Sequence, residues 1–296
     1  MKIKCLLLII ALTSAAKNSF TKEIIPFRLS GKLILLLAEV DGKHGYFILD
    51  TGVSTLVLNS KYFSGKPSGN IYYGIYGEES PESKNVSVNL GQMKWKNISA
   101  LITYLGHFEN RRQIAILGLL GCDLFRNCEL TIDYREKVIM IQHLGRRRNH
   151  QVQRLATPSD SLSFQCKGRS PFILAKMGMT DLKLILDTGA EYNLLRLKHM
   201  KLCQQKLTDQ REIAATGISK EMKKLSSGTL HDLSVGRSTC APMKTIFTSL
   251  KPINKYCPGP KIDGALGFEF LNQFRTAINF RKKKIYFWQE KKAFRR

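Results

Sequence analysis

The stretch FILDTGVSTLVLN, Phe47 to Asn59, decides the fold. It is apolar up to Leu49, breaks on Asp50-Thr51-Gly52, and turns apolar again from Leu56. A short apolar run that stops on turn residues reads as a buried strand carrying a carboxylate to its tip. LILDTGAEYNLL, Leu184 to Leu195, repeats the pattern with Asp187-Thr188-Gly189 in the same place. A specified tripeptide arises roughly once in 8,000 positions under even usage, so two copies in one setting are a signal.

Working outward, each copy is the second strand of a hairpin. KLILLLAEV (Lys32 to Val40) turns at Asp41-Gly42 into GYFILDTG, and PFILAKM (Pro171 to Met177) turns at Gly178 to Asp181 into LKLILDTG. The repeat continues downstream. AILGLLGCDLFRNCELTIDYREKVIMI (Ala115 to Ile141) aligns without a gap on KIDGALGFEFLNQFRTAINFRKKKIYF (Lys261 to Phe287). Gly118 meets Gly264, Gly121 meets Gly267, and Asp123 meets Glu269, an offset of 146 against 137 between the two aspartates. A nine-residue excess therefore belongs in the middle of the second half. Each half is expected to be strand-rich, with one short helix after the second glycine and a closing hairpin.

The expected divisions are a leader at 1–16, a first lobe at 17–145, a linker at 146–160 and a second lobe at 161–296. The leader reading rests on basic Lys2 and Lys4, apolar Cys5 to Leu12 and small Thr13 to Ala16. That apolar run is too short for a membrane span, so a secreted or periplasmic protein is expected, with no stable membrane insertion after leader removal. The linker GRRRNHQVQRLATPSD is polar and rich in arginine.

Composition narrows the field less than the repeat does. The 296 residues are 43% hydrophobic, enough for packed cores. The formal charge of +24 favours anionic surroundings, yet the basic residues are scattered and no aromatic-interleaved strip accompanies them, so no nucleic-acid partner is expected. Without Cys5, six cysteines remain: Cys122, Cys128, Cys166, Cys203, Cys240 and Cys257. They lack zinc-site spacing and read as structural, either bridged or buried as thiols. The six histidines form no H-x-x-x-H pair, and no G-x-S-x-G turn is present.

Taken together, Asp-Thr-Gly after an apolar strand, with Leu119-Leu120-Gly121 and Ala265-Leu266-Gly267 downstream, resembles the aspartic peptidases. Each half resembles a retropepsin-type subunit, and the pair in one chain resembles the two-lobed pepsin arrangement. The resemblance implies an all-β fold of two barrel lobes about a pseudo-twofold, acting as a monomer with an internal pseudo-dimer. It implies Asp50 and Asp187 as catalytic acids, an extended peptide or protein as substrate, endopeptidase activity, and no metal or organic cofactor. Two carboxylates in contact cannot both ionise cheaply, so they share a proton and activate a water between them.

The supporting residues follow from the same resemblance. Gly52 and Gly189 permit tight turns beside the carboxylates, Thr51 and Thr188 reach across to the opposite loop, and Gly121 and Gly267 leave room beneath. Ser54 is placed to bond the outer oxygen of Asp50. Glu191, its counterpart, either raises the pKa of the pair or faces an arginine at the lobe interface. Val53 and Ala190 stand where a hydroxyl would acidify the pair, so an optimum nearer neutral is expected. The flap candidates are Tyr73 to Gly77, with Tyr76 and Gly77 toward substrate, and Ala215 to Ile218, with Thr216 and Gly217. The rival reading keeps the fold and drops turnover: a peptide-binding protein.

Overall fold

The computed structural model describes residues 22–73, 78–145, 156–167, 170–216, 222–257 and 259–289. The expected leader and most of the expected linker lie outside the described residues.

Strands dominate, and the two halves follow one plan. In the first, Leu33–Val40, Lys43–Leu49, Ile116–Leu120, Leu56–Asn59, Met93–Thr103 and Glu82–Leu90 hydrogen-bond in that order. Glu82–Leu90 then returns to Leu33–Val40 and closes a six-stranded barrel. In the second, Ser170–Met177, Thr180–Leu186, Gly264–Leu266, Asn193–Arg196, Met243–Thr248 and Met222–Leu230 keep the same order. There the ladder does not close among the described residues. The closing contact is instead carried by a separate piece: Leu233–Val235, paired with Ser238–Thr239, meets Ser170–Met177 in the register that Val88 and Asn89 take on Leu33–Val40, leaving a half-barrel. Leu233 stands 145 residues after its counterpart Val88, against 137 between the aspartates, so eight of the nine excess residues (145 − 137) precede this hairpin.

Register is shared to the residue. Gly118 lies opposite Phe47 and Gly264 opposite Leu184, each pair parallel. Both faces of these strands are apolar because both are covered. Ile34, Leu36 and Val40 join the large core, while Leu33, Leu35, Ile48, Val57, Ile116 and Leu119 pack in a second cluster with Leu105 and Phe108. Its counterpart is Phe172, Ile185, Leu250, Ile262 and Ala265, packed by Ile253. Each fully buried Leu, Ile or Phe contributes about 1.5–3 kcal/mol, so these clusters, and not the scattered surface charges, hold the lobes.

The second clusters are roofed by helices Gly106–Arg112 and Lys251–Tyr256, which the sequence reading did not find. They run to 7 and 6 residues and start at Leu105 and Leu250 without a side-chain cap, so neither periodicity nor capping announces them. The helices expected after Gly121 and Gly267 are present, as a 3-10 turn at Cys122–Phe125 and an α-turn at Phe268–Leu271.

The closing hairpins of the two halves merge into one sheet. Its strand order is Lys22–Pro26, Val138–His143, Cys128–Asp133, Arg275–Asn279, Lys284–Trp288 and Asp160–Ser163. At its centre Thr131 lies opposite Ala277, its own counterpart at the 146-residue offset. A local twofold therefore passes between these two residues. All six described cysteines are thiols, four of them buried, so the bridged alternative does not hold here.

Candidate active site

The two Asp-Thr-Gly loops are carried to this twofold by matching strands. Asp50 N–H donates to the Leu120 carbonyl at 3.0 Å and Asp187 N–H to the Leu266 carbonyl at 3.0 Å, so each loop leaves its hairpin at the same point. The threonines then lock one loop to the other. Thr51 Oγ1 donates to the Leu186 carbonyl at 2.7 Å and accepts Thr188 N–H at 3.0 Å. Thr188 Oγ1 donates to the Leu49 carbonyl at 2.8 Å and accepts Thr51 N–H at 3.0 Å. Both threonines are fully buried, so these four bonds have no water to compete with them.

The carboxyls meet inside this lock, each lying against the glycine of the other loop. Asp50 is buried and Asp187 is partly exposed, so the pair opens to solvent on the Asp187 side. Asp50 Oδ1 accepts Gly52 N–H at 2.9 Å and Val53 N–H at 3.2 Å, and Asp187 Oδ1 accepts Gly189 N–H at 2.9 Å. Glycine is required by closeness. A Cβ on Gly52 would sit 2.5 Å from the Asp187 carboxyl carbon, and one on Gly189 would run into Asp50. Beneath the loops, a Cβ on Gly267 would sit 2.5 Å from the Ala190 carbonyl, and one on Gly121 would strike the backbone of Thr55.

Burial pushes both carboxyls above the usual carboxylate range. Asp50 goes further, because the charge of Asp187 adds to burial, whereas Asp187 is held down by the Gly189 N–H and by Asp50 itself. The two carboxyls therefore titrate as a pair, held toward a state with one proton between them.

Glu191 resolves in favour of an arginine. Arg112 Nη2 reaches Glu191 Oε1 at 2.7 Å, and Arg111 Nη1 lies 3.7 Å from Oε2. The helix Gly106–Arg112 of the first lobe thus grips the Asp-Thr-Gly loop of the second. Lys32 follows the same path, pairing with Glu269 and lying 4.1 Å from the Tyr192 ring centroid. In the other direction, Ser170 Oγ of the second lobe donates to the Gly52 carbonyl at 2.8 Å. Cys122 donates its S–H to the Thr51 carbonyl at 3.0 Å, and burial keeps it a thiol. Ser54 enters through its carbonyl, which accepts Asp123 N–H at 2.8 Å. The sequence reading missed Arg112, Lys32 and Ser170, since nothing local marks a contact made between lobes.

Of the flap residues, Tyr76, Gly77 and Gly217 lie outside the described residues. Thr216 ends the strand Leu207–Thr216 and pairs with Met222. The first-lobe hairpin stem, Tyr72–Tyr73 with Glu78–Glu79, is described and forms its own two-stranded sheet. Tyr73 stacks on Tyr256 of the second lobe with ring centroids 4.1 Å apart, and Cys257 S–H lies 3.7 Å from the Tyr73 carbonyl.

Residues 175–270 match the aspartyl protease family model. This aspartyl protease match runs through Asp187, Gly189 and Gly267, the second lobe's share of the centre. The first lobe lies outside it and repeats its register. No curated protein matches the chain. Among the described residues no helix is long and apolar enough to cross a membrane.

Proposed function

We propose that the chain is an exported aspartic endopeptidase in which Asp50 and Asp187 activate one water. The observation that carries this reading is the meeting of the two carboxyls, each against the other loop's glycine, inside the threonine lock. The aspartyl protease match over residues 175–270 supports peptidase activity in general terms.

The ionised member of the pair takes a proton from water lodged between the carboxyls. The hydroxide equivalent attacks the peptide carbonyl carbon, and the protonated member donates its proton to the carbonyl oxygen. The tetrahedral intermediate collapses as the amide nitrogen takes up the proton that came from water and leaves as the amine. A hydroxyl of the intermediate returns its proton to the other carboxyl, so that the pair again holds one proton. Water is the nucleophile throughout, so no covalent acyl intermediate forms. An extended peptide would lie between the lobes by strand-like backbone bonding. Export rests on the basic, apolar and small-residue order of positions 1–16.

The test is mass-spectrometric analysis of a mixed peptide library. Internal cleavage is expected, blocked by a non-hydrolysable mimic of the tetrahedral intermediate, and reduced by about 10²–10⁴-fold or more in Asp50→Asn and in Asp187→Asn. Turnover unchanged in both variants would reject the enzyme. Binding without turnover in the parent chain would favour the peptide-binding protein.

A further inference from the structure

The central sheet joins two strands that are copies of one another, yet their polar residues have diverged in a directed way. On Cys128–Asp133 these are Glu129 and Asp133, only 2% and 3% exposed. Asn279 Nδ2 donates to Glu129 Oε2 at 2.7 Å, and Arg275 Nε donates to Asp133 Oδ2 at 2.6 Å. At the 146-residue offset Arg275 is the counterpart of Glu129, and Asn279 that of Asp133. The local task of the second pair is conserved in the fold. Asp133 Oδ1 accepts Glu136 N–H at 3.1 Å, and Asn279 Oδ1 accepts Lys282 N–H at 2.8 Å. Only what faces the other lobe differs. The first lobe offers two acceptors and the second offers two donors.

We infer that this donor–acceptor code bars the first lobe from pairing with a copy of itself and fits it to the second lobe alone. In a symmetric pair of first lobes at the same register, Glu129 of each would face Asp133 of the other. Two such contacts would bury four carboxyls in facing pairs, each of which could bond across the seam only by taking up a proton. Ionised carboxylates only accept, and like charges directly opposite in a ladder repel. A pair of second lobes would place Arg275 against Asn279, whose oxygen accepts, so the prohibition is one-sided. Every assembled centre then combines one Asp50 loop with one Asp187 loop. The inference concerns pairing and stands whether or not the centre cleaves peptide.

The full-length chain tests it by sedimentation velocity over a concentration series, with thermal melting alongside. D133R places like charges opposite each other within one chain, but supplies Glu129 with a cation in an exchanged pair of chains. The parent chain is expected to stay monomeric, while D133R dimerises at least about tenfold more tightly. R275D should melt below the parent, and D133R/R275D, which restores opposite charges within the chain, should recover both midpoint and monomer. A parent chain that dimerises as readily as D133R, or a monomeric D133R with the parent's midpoint, overturns the inference. If D133R does not fold, the swap decides: a double variant melting no higher than R275D overturns it.

Discussion

Replacing Thr188 by alanine isolates the lock between the loops. The hydroxyl is lost, and with it the bond to the Leu49 carbonyl at 2.8 Å and the acceptor for Thr51 N–H at 3.0 Å. Leu49, Thr51 and Thr188 are all fully buried, so water does not replace what is removed. Each buried group left unpaired costs about 1–3 kcal/mol, which puts Thr188→Ala at about 2–4 kcal/mol after some relaxation. Thr188→Ser keeps both bonds and loses one methyl, so it should cost no more than about 1 kcal/mol. Urea unfolding followed by fluorescence reads the difference as a shift in midpoint at constant slope. Thr51→Ala should behave alike, and the double variant should cost less than the sum, because both residues serve one network. If alanine at 188 were no more damaging than serine, the hydroxyl would not be holding the lobes and the reasoning would fail.

Other expectations follow from particular contacts. Burial raises the Asp50 carboxyl in the folded state, so its contribution to stability is full below the unfolded value of about 3.9 and is lost as pH rises through the folded value. Asp50→Asn removes that loss. Its melting point relative to the parent should climb between acid and neutral pH, and a flat difference would contradict the burial argument. Arg112→Met leaves Glu191 short of its 2.7 Å partner in a site where the two side chains are 7% and 17% exposed, and should cost about 2–3 kcal/mol, with Arg112→Lys recovering only part. Tyr256→Ala removes the 4.1 Å stack on Tyr73, worth about 0.5–1.5 kcal/mol beyond area. Amide exchange should quicken at Tyr72, Tyr73, Glu78 and Glu79 and stay unchanged at the threonine lock.

How far the sequence reached follows from where each contact lies along the chain. The hairpins delivering Asp50 and Asp187, and the closing hairpins that form the central sheet, were legible because each is local and occurs twice. The threonine bonds followed from residue type once two loops faced each other. Arg112 was not legible, because its helix is 7 residues long, starts without a cap, and meets Glu191 from 79 residues away. The open second barrel was equally hidden. Excess length reveals that something is inserted, but not that the contact with Ser170–Met177 will fall to a separate short strand, Leu233–Val235, where the first half uses the end of one long strand.

The most direct measurement is a carboxyl carbon-13 titration of the chain labelled at aspartate, with Asp50→Asn and Asp187→Asn supplying the assignments. The account expects two linked resonances, one of the two carboxyls staying protonated well above the range of surface aspartates, and each variant moving the titration of the carboxyl that remains. Two independent titrations near the ordinary value, each indifferent to loss of the other residue, would contradict a shared proton.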